Sequence, residues 1–179
     1  LFAAFFLPRF YTAPHYLGYR IGTYIDLFGG MAQLLILAVG SAIVWTLARH
    51  GSLSRPGSLL ARWIFGLCSV DFGLAHFNQV AAVARLIPHW IPGTAPFWAV
   101  LTGIAFVLAG LAILTGFFDV LAARLLALML LVFSLVVVSL FVVRAPHSHR
   151  SWGGNAYNLA AVAATWIFAE WLAASRTPA

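Results

Sequence analysis

Five apolar runs, each close to the length that crosses a bilayer, dominate this chain: residues 26–48, 60–84, 97–118, 125–143 and 156–174. A helix needs about 20 predominantly apolar residues to span the hydrocarbon core. Inside a bilayer only helices and closed barrels satisfy their own backbone groups, and these runs lack the alternation of barrel strands. Turn chemistry falls between them, at Arg55-Pro56-Gly57, at Pro88 and Pro92-Gly93, and at Pro146. The expected fold is an all-α integral membrane protein, a compact bundle of about five transmembrane helices. Composition rules out the soluble alternative: only 8% of the residues are charged, against about 25% in a soluble domain.

The positive charge is all arginine, and it is dispersed singly at the ends of the apolar runs. Arginine there meets lipid headgroups and helps set topology. No basic stripe of the kind that reads nucleic acid is present, so membrane lipid is the expected partner and nucleic acid is not. If successive helices alternate, one face receives Arg49, Arg55, Arg62, Arg124 and Arg176, and the other Arg9, Arg20, Arg85, Arg144 and Arg150. The totals balance, and the dense loop carrying Arg49, Arg55 and Arg62 favours the cytoplasm for its own face.

Residues 1–25, rich in Tyr and Pro, read as an interfacial segment. The apolar start at Leu1 reads as the tail of a processed segment or of a further helix, which makes any helix count a minimum. Residues 26–59 then form one helix and its loop, residues 60–174 a four-helix core, and residues 175–179 a polar tail. Gly66 and Gly73, Gly103 and Gly110, and Ala160 and Ala164 supply the small faces through which helices approach closely in lipid. The single cysteine, Cys68, lies in an apolar run and reads as packing.

The second run is the unusual one, because Asp71, His76, Asn78 and Gln79 stand where a lipid-facing helix carries Leu or Val. Polar groups at that depth face the bundle interior and often mark function. On a helix Asp71, Asn78 and Arg85 fall within about 40° of one another, with His76 about 140° round from Asp71. One reading is a set of interhelical hydrogen bonds that fixes register, each worth about 1 kcal/mol or less. The other is a polar pocket in which Asp71 or His76 handles protons or holds a ring headgroup. Alternation brings His15, His89, Trp90, His147, His149, Trp152, Asn155 and Asn158 to the face toward which this helix runs. The candidate catalytic residues are therefore Asp71 and His76, and the candidate ligand-binding residues Asn78, Gln79, His89, Trp90, Asn155 and Asn158. His147-Ser148-His149 reads as a solvated loop and not a metal site. His76 alone cannot supply two haem ligands at matching depth. Glu170 is expected to pair with an arginine near the membrane surface, such as Arg62.

Gly73-Leu74-Ala75-His76-Phe77, then Pro88-His89-Trp90-Ile91-Pro92, then Thr102-Gly103, resembles the DoxX-like integral membrane proteins over residues 60–174. In that family a helix ends in Gly-x-x-His, a Pro/Trp-rich turn follows, and Thr-Gly opens the next helix. Where such proteins often carry an acid three positions after that glycine, this chain has Phe106. The resemblance implies a quinone-linked or redox-complex neighbourhood in a bacterial cytoplasmic membrane. It implies an accessory or anchor subunit partnered by other membrane or redox subunits, or by a second copy of the chain. No tightly bound cofactor is expected, and a quinone is the exchangeable ligand implied. The enzymatic alternative is a quinone-reactive oxidoreductase using Asp71 and His76, and a third reading is a small-solute transporter.

Overall fold

The structure is a computed structural model that describes Pro8, Thr12 and residues 20–176. The interfacial rings expected at Tyr11, Tyr16 and Tyr19, together with Arg9 and His15, lie outside the described residues. Every regular element among the described residues is helical: α1 (Ile21–His50), α2 (Arg55–Asn78), α3 (Val80–Ala84), α4 (Ala95–Thr115), α5 (Asp119–Val132), a π-helical segment (Phe133–Val138), α6 (Ser139–Arg144) and α7 (His149–Ala174). With α5, the π segment and α6 forming one continuous rod, the described residues hold five long rods, but not the five membrane spans that were expected. Four of them, α1, α2, α4 and the α5–α6 rod, are long and apolar enough to cross a membrane. In α7, Asn155, Asn158 and Glu170 dilute the apolar run.

Local chemistry sets the ends of these helices. Gly51 and Gly116 adopt the left-handed conformation that closes α1 and α4, their N–H groups bonding to Leu47 O and Ala112 O. Ser54 caps α2, its hydroxyl accepting from Gly57 N with Pro56 in the first turn. The second apolar run was expected to continue to residue 84. It breaks instead at Gln79, whose backbone (φ −124, ψ 36) leaves the helix without help from a proline. Gln79 donates its side-chain amide to Asp26 Oδ1 at 2.7 Å, which holds the break against α1.

The rods close into a ring in which α1 packs on α2, α2 on α4, α4 on α5, α5 on α7 and α7 on α1. Its centre is apolar, with Phe65 and Phe168 stacked at 4.1 Å and Ile36, Ile43, Ile113 and Leu172 around them. The outer surface is also apolar: Leu108 and Leu135 are 61% and 62% exposed. A soluble protein could not leave such a belt in water, so lipid is the solvent.

The crossing of α2 and α4 is a glycine contact. A Cβ on Gly73 would stand 2.6 Å from Gly103 O, and one on Gly110 would stand 2.6 Å from Gly66 O. Gly40 likewise admits Ala164 on the α1–α7 seam. Ala160, expected beside Ala164 on the contact face, is exposed, and Ala161 is buried in its place. At the end of the bundle holding the α4–α5 turn, Asp119 is fully buried and bonded by Arg62 at 2.5 Å and Arg176 at 2.6 Å. Glu170 pairs with Arg124 at 3.0 Å and not with Arg62. The reason is the order of the ring: Arg124 lies on α5, which packs against α7, whereas Arg62 lies on α2 across from it.

Candidate functional site

A cavity of about 840 Å³ lies between α2, α4 and the α5–α6 rod, and the turn after α3 lies along one end. Its walls are apolar and aromatic, from Phe72, Trp90, Trp98, Phe106, Phe133 and a row of Leu and Val side chains. Gln33, His76, Thr102 and Asn158 bring polar groups with them, as do the indole N–H groups of Trp90 and Trp98. That size and that lining fit an amphipathic molecule, apolar over most of its length with a few polar atoms at one end.

Two departures from regular helix shape the walls. In the π segment the Ser139 N–H reaches Ser134 O, one residue further than in an α-helix. Val136, Val137 and Val138 consequently all line the cavity, although three successive residues of an α-helix would spread over about 200°. Ser134 is buried and donates to Asn155 Oδ1 at 3.2 Å, which ties the π segment to α7. On the opposite wall the break at Gln79 frees α3 to pack on α4, so that Val83, Leu86 and Trp90 close over the cavity. The Trp98 indole holds the same turn by donating to Pro92 O at 2.7 Å.

His76 is the ionisable group on the cavity wall. Its Nδ1 lies 2.7 Å from Phe72 O, a carbonyl that can only accept, so Nδ1 carries the proton. Nε2 is then left as the acceptor, and among the described residues it has no hydrogen-bond partner. The ring packs beside Phe106 and Phe133, at centroid distances of 5.1 and 6.5 Å, and those two rings lie 6.2 Å from each other. Phe106 occupies the place of the expected acid, and it is 2% exposed. It is a wall of the site, and the polar atoms come from elsewhere. Gln33 of α1 and Asn158 of α7 also line the cavity, and among the described residues their side-chain amides have no hydrogen-bond partner. The Thr102 hydroxyl is occupied by Trp98 O and Ala99 O, at 2.8 and 3.1 Å.

The eight candidate residues divide into separate groups. His76, Trp90 and Asn158 line the cavity. Asp71 is on the other side of α2, 7% exposed, with Oδ2 placed where a Cβ on Gly29 would be 3.3 Å away. Asn78 and Gln79 join Asp26 of α1: Asn78 donates to Asp26 Oδ1 at 3.2 Å and to Gly22 O at 3.3 Å. Asn155 serves Ser134, and His89 is exposed in the turn after α3. Asp71 and His76 therefore do not share one pocket, as their angular separation on the helix implied. Sequence reasoning passed over Gln33, Thr102 and Trp98. Gln33 was legible as the lone amide in an otherwise apolar run, and Thr102 as part of the Thr-Gly motif. Among the described residues no group of three His, Cys, Asp or Glu side chains is placed to hold a metal ion.

Comparison with known proteins returns one family model, DoxX, matching residues 57–141. Neither curated proteins nor solved structures give a match. The matched stretch runs from the first turn of α2 into α6 and carries the Gly73/Gly103 crossing, His76, the Pro/Trp turn and the π segment, with α1 and α7 outside it. The helical bundle, its apolar spans and this match agree: the chain is a helical membrane protein in which residues 57–141 are similar to the DoxX family.

Proposed function

We propose that this protein holds the headgroup of a quinone-type lipid in the cavity beside His76, as an accessory or anchor subunit of a quinone-linked redox assembly in a bacterial cytoplasmic membrane. The observation that carries the reading is the combination of an apolar cavity of about 840 Å³ with an imidazole acceptor and two amides that have no hydrogen-bond partner among the described residues. In the reduced form a quinol hydroxyl donates to His76 Nε2; in the oxidised form the quinone carbonyl oxygens accept from the Gln33 and Asn158 amides. The apolar tail lies along the Leu and Val wall of α5 and the π segment. Phe106 and Phe133 flank the ring position and exclude water from it. The enzymatic alternative places Asp71 and His76 at one site, and their positions on opposite sides of α2 favour the binding role.

The test is direct. Trp90 and Trp98 line the cavity, so a short-tailed benzoquinol or benzoquinone that binds there quenches their fluorescence in detergent-purified protein. His76→Phe preserves an aromatic wall and removes the acceptor, and it is expected to weaken quinol binding about tenfold or more, the worth of one hydrogen bond to a buried group. Equal quinol affinity in His76→Phe and the parent overturns the assignment. Gentle purification followed by mass spectrometry of co-purifying subunits checks the accessory role.

A further inference from the structure

A polar seam separate from the cavity runs between α1 and α2. On α1, Gly22, Asp26, Gly29 and Gln33 follow at spacings of four, three and four residues, which sets them on one stripe within about 60°. The α2 side supplies Asn78 opposite Gly22 and Asp26, and Asp71 opposite Gly29. The seam begins at the exposed Asp26, Asn78 and Gln79, passes the buried Asp71, and ends near Gln33, a residue of the cavity wall. The two glycines make the room. A Cβ on Gly22 would stand 2.5 Å from the Asn78 side chain, and one on Gly29 would stand 3.3 Å from Asp71 Oδ2.

Asp71 Oδ2 is the one buried side-chain N or O atom, among the described residues, without a hydrogen-bond partner. A carboxylate oxygen in that condition is costly, because burial removes water and nothing replaces it. The buried Asp119 shows the alternative in the same fold, with two arginines on its two oxygens. Among the described residues no arginine pairs with Asp71. The ionisable groups around it are few: Asp26 from α1 and Cys68 on α2 itself, while α4 has none along its length. From α7, Phe168 reaches α2, and the nearby Glu170 is neutralised by Arg124.

We infer that Asp71 is a proton-binding site, loaded from the membrane face that carries Asp26 through the Asp26–Asn78–Gln79 cluster. One proton passes from water by way of the Asp26 carboxylate to Asp71 Oδ2. There it forms an O–H bond and cancels one negative charge, and it leaves by the same route. The site needs no ligand in the cavity, and it stands whether or not a quinone binds there.

Infrared spectroscopy of the full chain in phosphatidylcholine vesicles reads this site. The parent protein is expected to show the carbonyl stretch of a protonated carboxylic acid near neutral pH, and Asp71→Asn is expected to remove it while circular dichroism reports an intact helical fold. Gly29→Ser puts a hydroxyl donor beside Oδ2; it should abolish or shift the band with Asp71 still present, which separates the carboxyl from a folding defect. Asp26→Asn is expected to keep the band and slow its shift on transfer to deuterium oxide severalfold. A parent spectrum without the band, or a band that survives Asp71→Asn, overturns the site. An unchanged deuterium shift in Asp26→Asn overturns the route.

Discussion

Alanine substitution at the glycines of the α2–α4 crossing should not follow helix propensity; it should follow what each new methyl group meets. At Gly73 the added Cβ stands 2.6 Å from Gly103 O and 3.0 Å from Val107 N, and at Gly110 it stands 2.6 Å from Gly66 O and 2.8 Å from Val70 N. These are backbone atoms of a packed helix, so relief requires the helices to part by most of an ångström. At Gly66 the nearest atoms are Cγ and Cδ2 of the Leu114 side chain, at 2.5 and 2.6 Å, with Gly110 O further off at 3.2 Å. A leucine can change rotamer where a carbonyl cannot move. Overpacking costs about 1–3 kcal/mol, and replacing a helical glycine by alanine returns about 1 kcal/mol. Gly73→Ala and Gly110→Ala are expected to lose about 1–2 kcal/mol net, and Gly66→Ala to stay within about 0.5 kcal/mol of the parent, on those same terms. Gly153 and Gly154 in α7 have nothing within 4 Å of an added Cβ. Alanine at either should stabilise by a few tenths to about 1 kcal/mol. Reversible unfolding in mixed micelles, followed by circular dichroism, measures all five. A Gly66→Ala loss as large as that of Gly110→Ala would refute the backbone-contact account of this crossing.

The ion pairs at the other end of the bundle should differ sharply from one another. Asp119→Asn keeps the shape but leaves two guanidiniums facing a neutral amide. Breaking a buried pair costs about 3–5 kcal/mol, and because Arg62 and Arg176 keep 23% and 51% of their side-chain surface, about 2–3 kcal/mol is expected in the same unfolding assay. Glu170→Gln removes a pair whose side chains are 46% and 48% exposed, and a change within about 0.5 kcal/mol is expected. A large Glu170 effect in high salt would contradict the exposure argument.

How much of this was legible in the sequence depended on whether a feature lives on one helix or between two. The spans, the turn chemistry and the odd polar content of α2 are properties of single segments, and each appears near where periodicity puts it. The angular separation of Asp71 from His76 belongs to α2 alone, and it held. The glycine spacing found the α2–α4 crossing because seven residues make two turns on either helix. Pairings across the ring were harder. Glu170 meets Arg124 because α7 neighbours α5, and nothing within either helix states that adjacency. Asp119 read as a loop residue, although it starts α5 with its side chain fully buried. Ala160 lost the contact face to Ala161 because the register of α7 is set by Ala164 on Gly40. The π segment carries no signal in Phe133-Ser134-Leu135-Val136-Val137-Val138 that an α-helix would lack, and the break at Gln79 carries no proline. Both arise from tertiary partners, Ser134 to Asn155 and Gln79 to Asp26.

The two ends of the bundle are built from different interactions, and that difference locates the site. At the α4–α5 turn, charge binds the rods: Arg62 also donates to Ile113 O, Arg176 to Gly116 O, and both hold Asp119. Each of these contacts joins separate elements, so that end resists parting. At the other end the ties are exposed and come from amides and indoles: Asn78 and Gln79 to Asp26, the Trp98 indole to Pro92 O, and the Trp152 indole to Pro146 O. Both regular-helix failures, the break at Gln79 and the π segment, also lie toward it. Regions with few buried contacts and exposed hydrogen bonds open at low cost. The cavity, the exposed Trp90 turn and the mouth of the Asp26–Asp71 seam all belong to this end. A membrane ligand that must enter from lipid and leave again needs one rigid anchorage and one yielding side, and this chain supplies the first with arginine and the second with amides and aromatic rings.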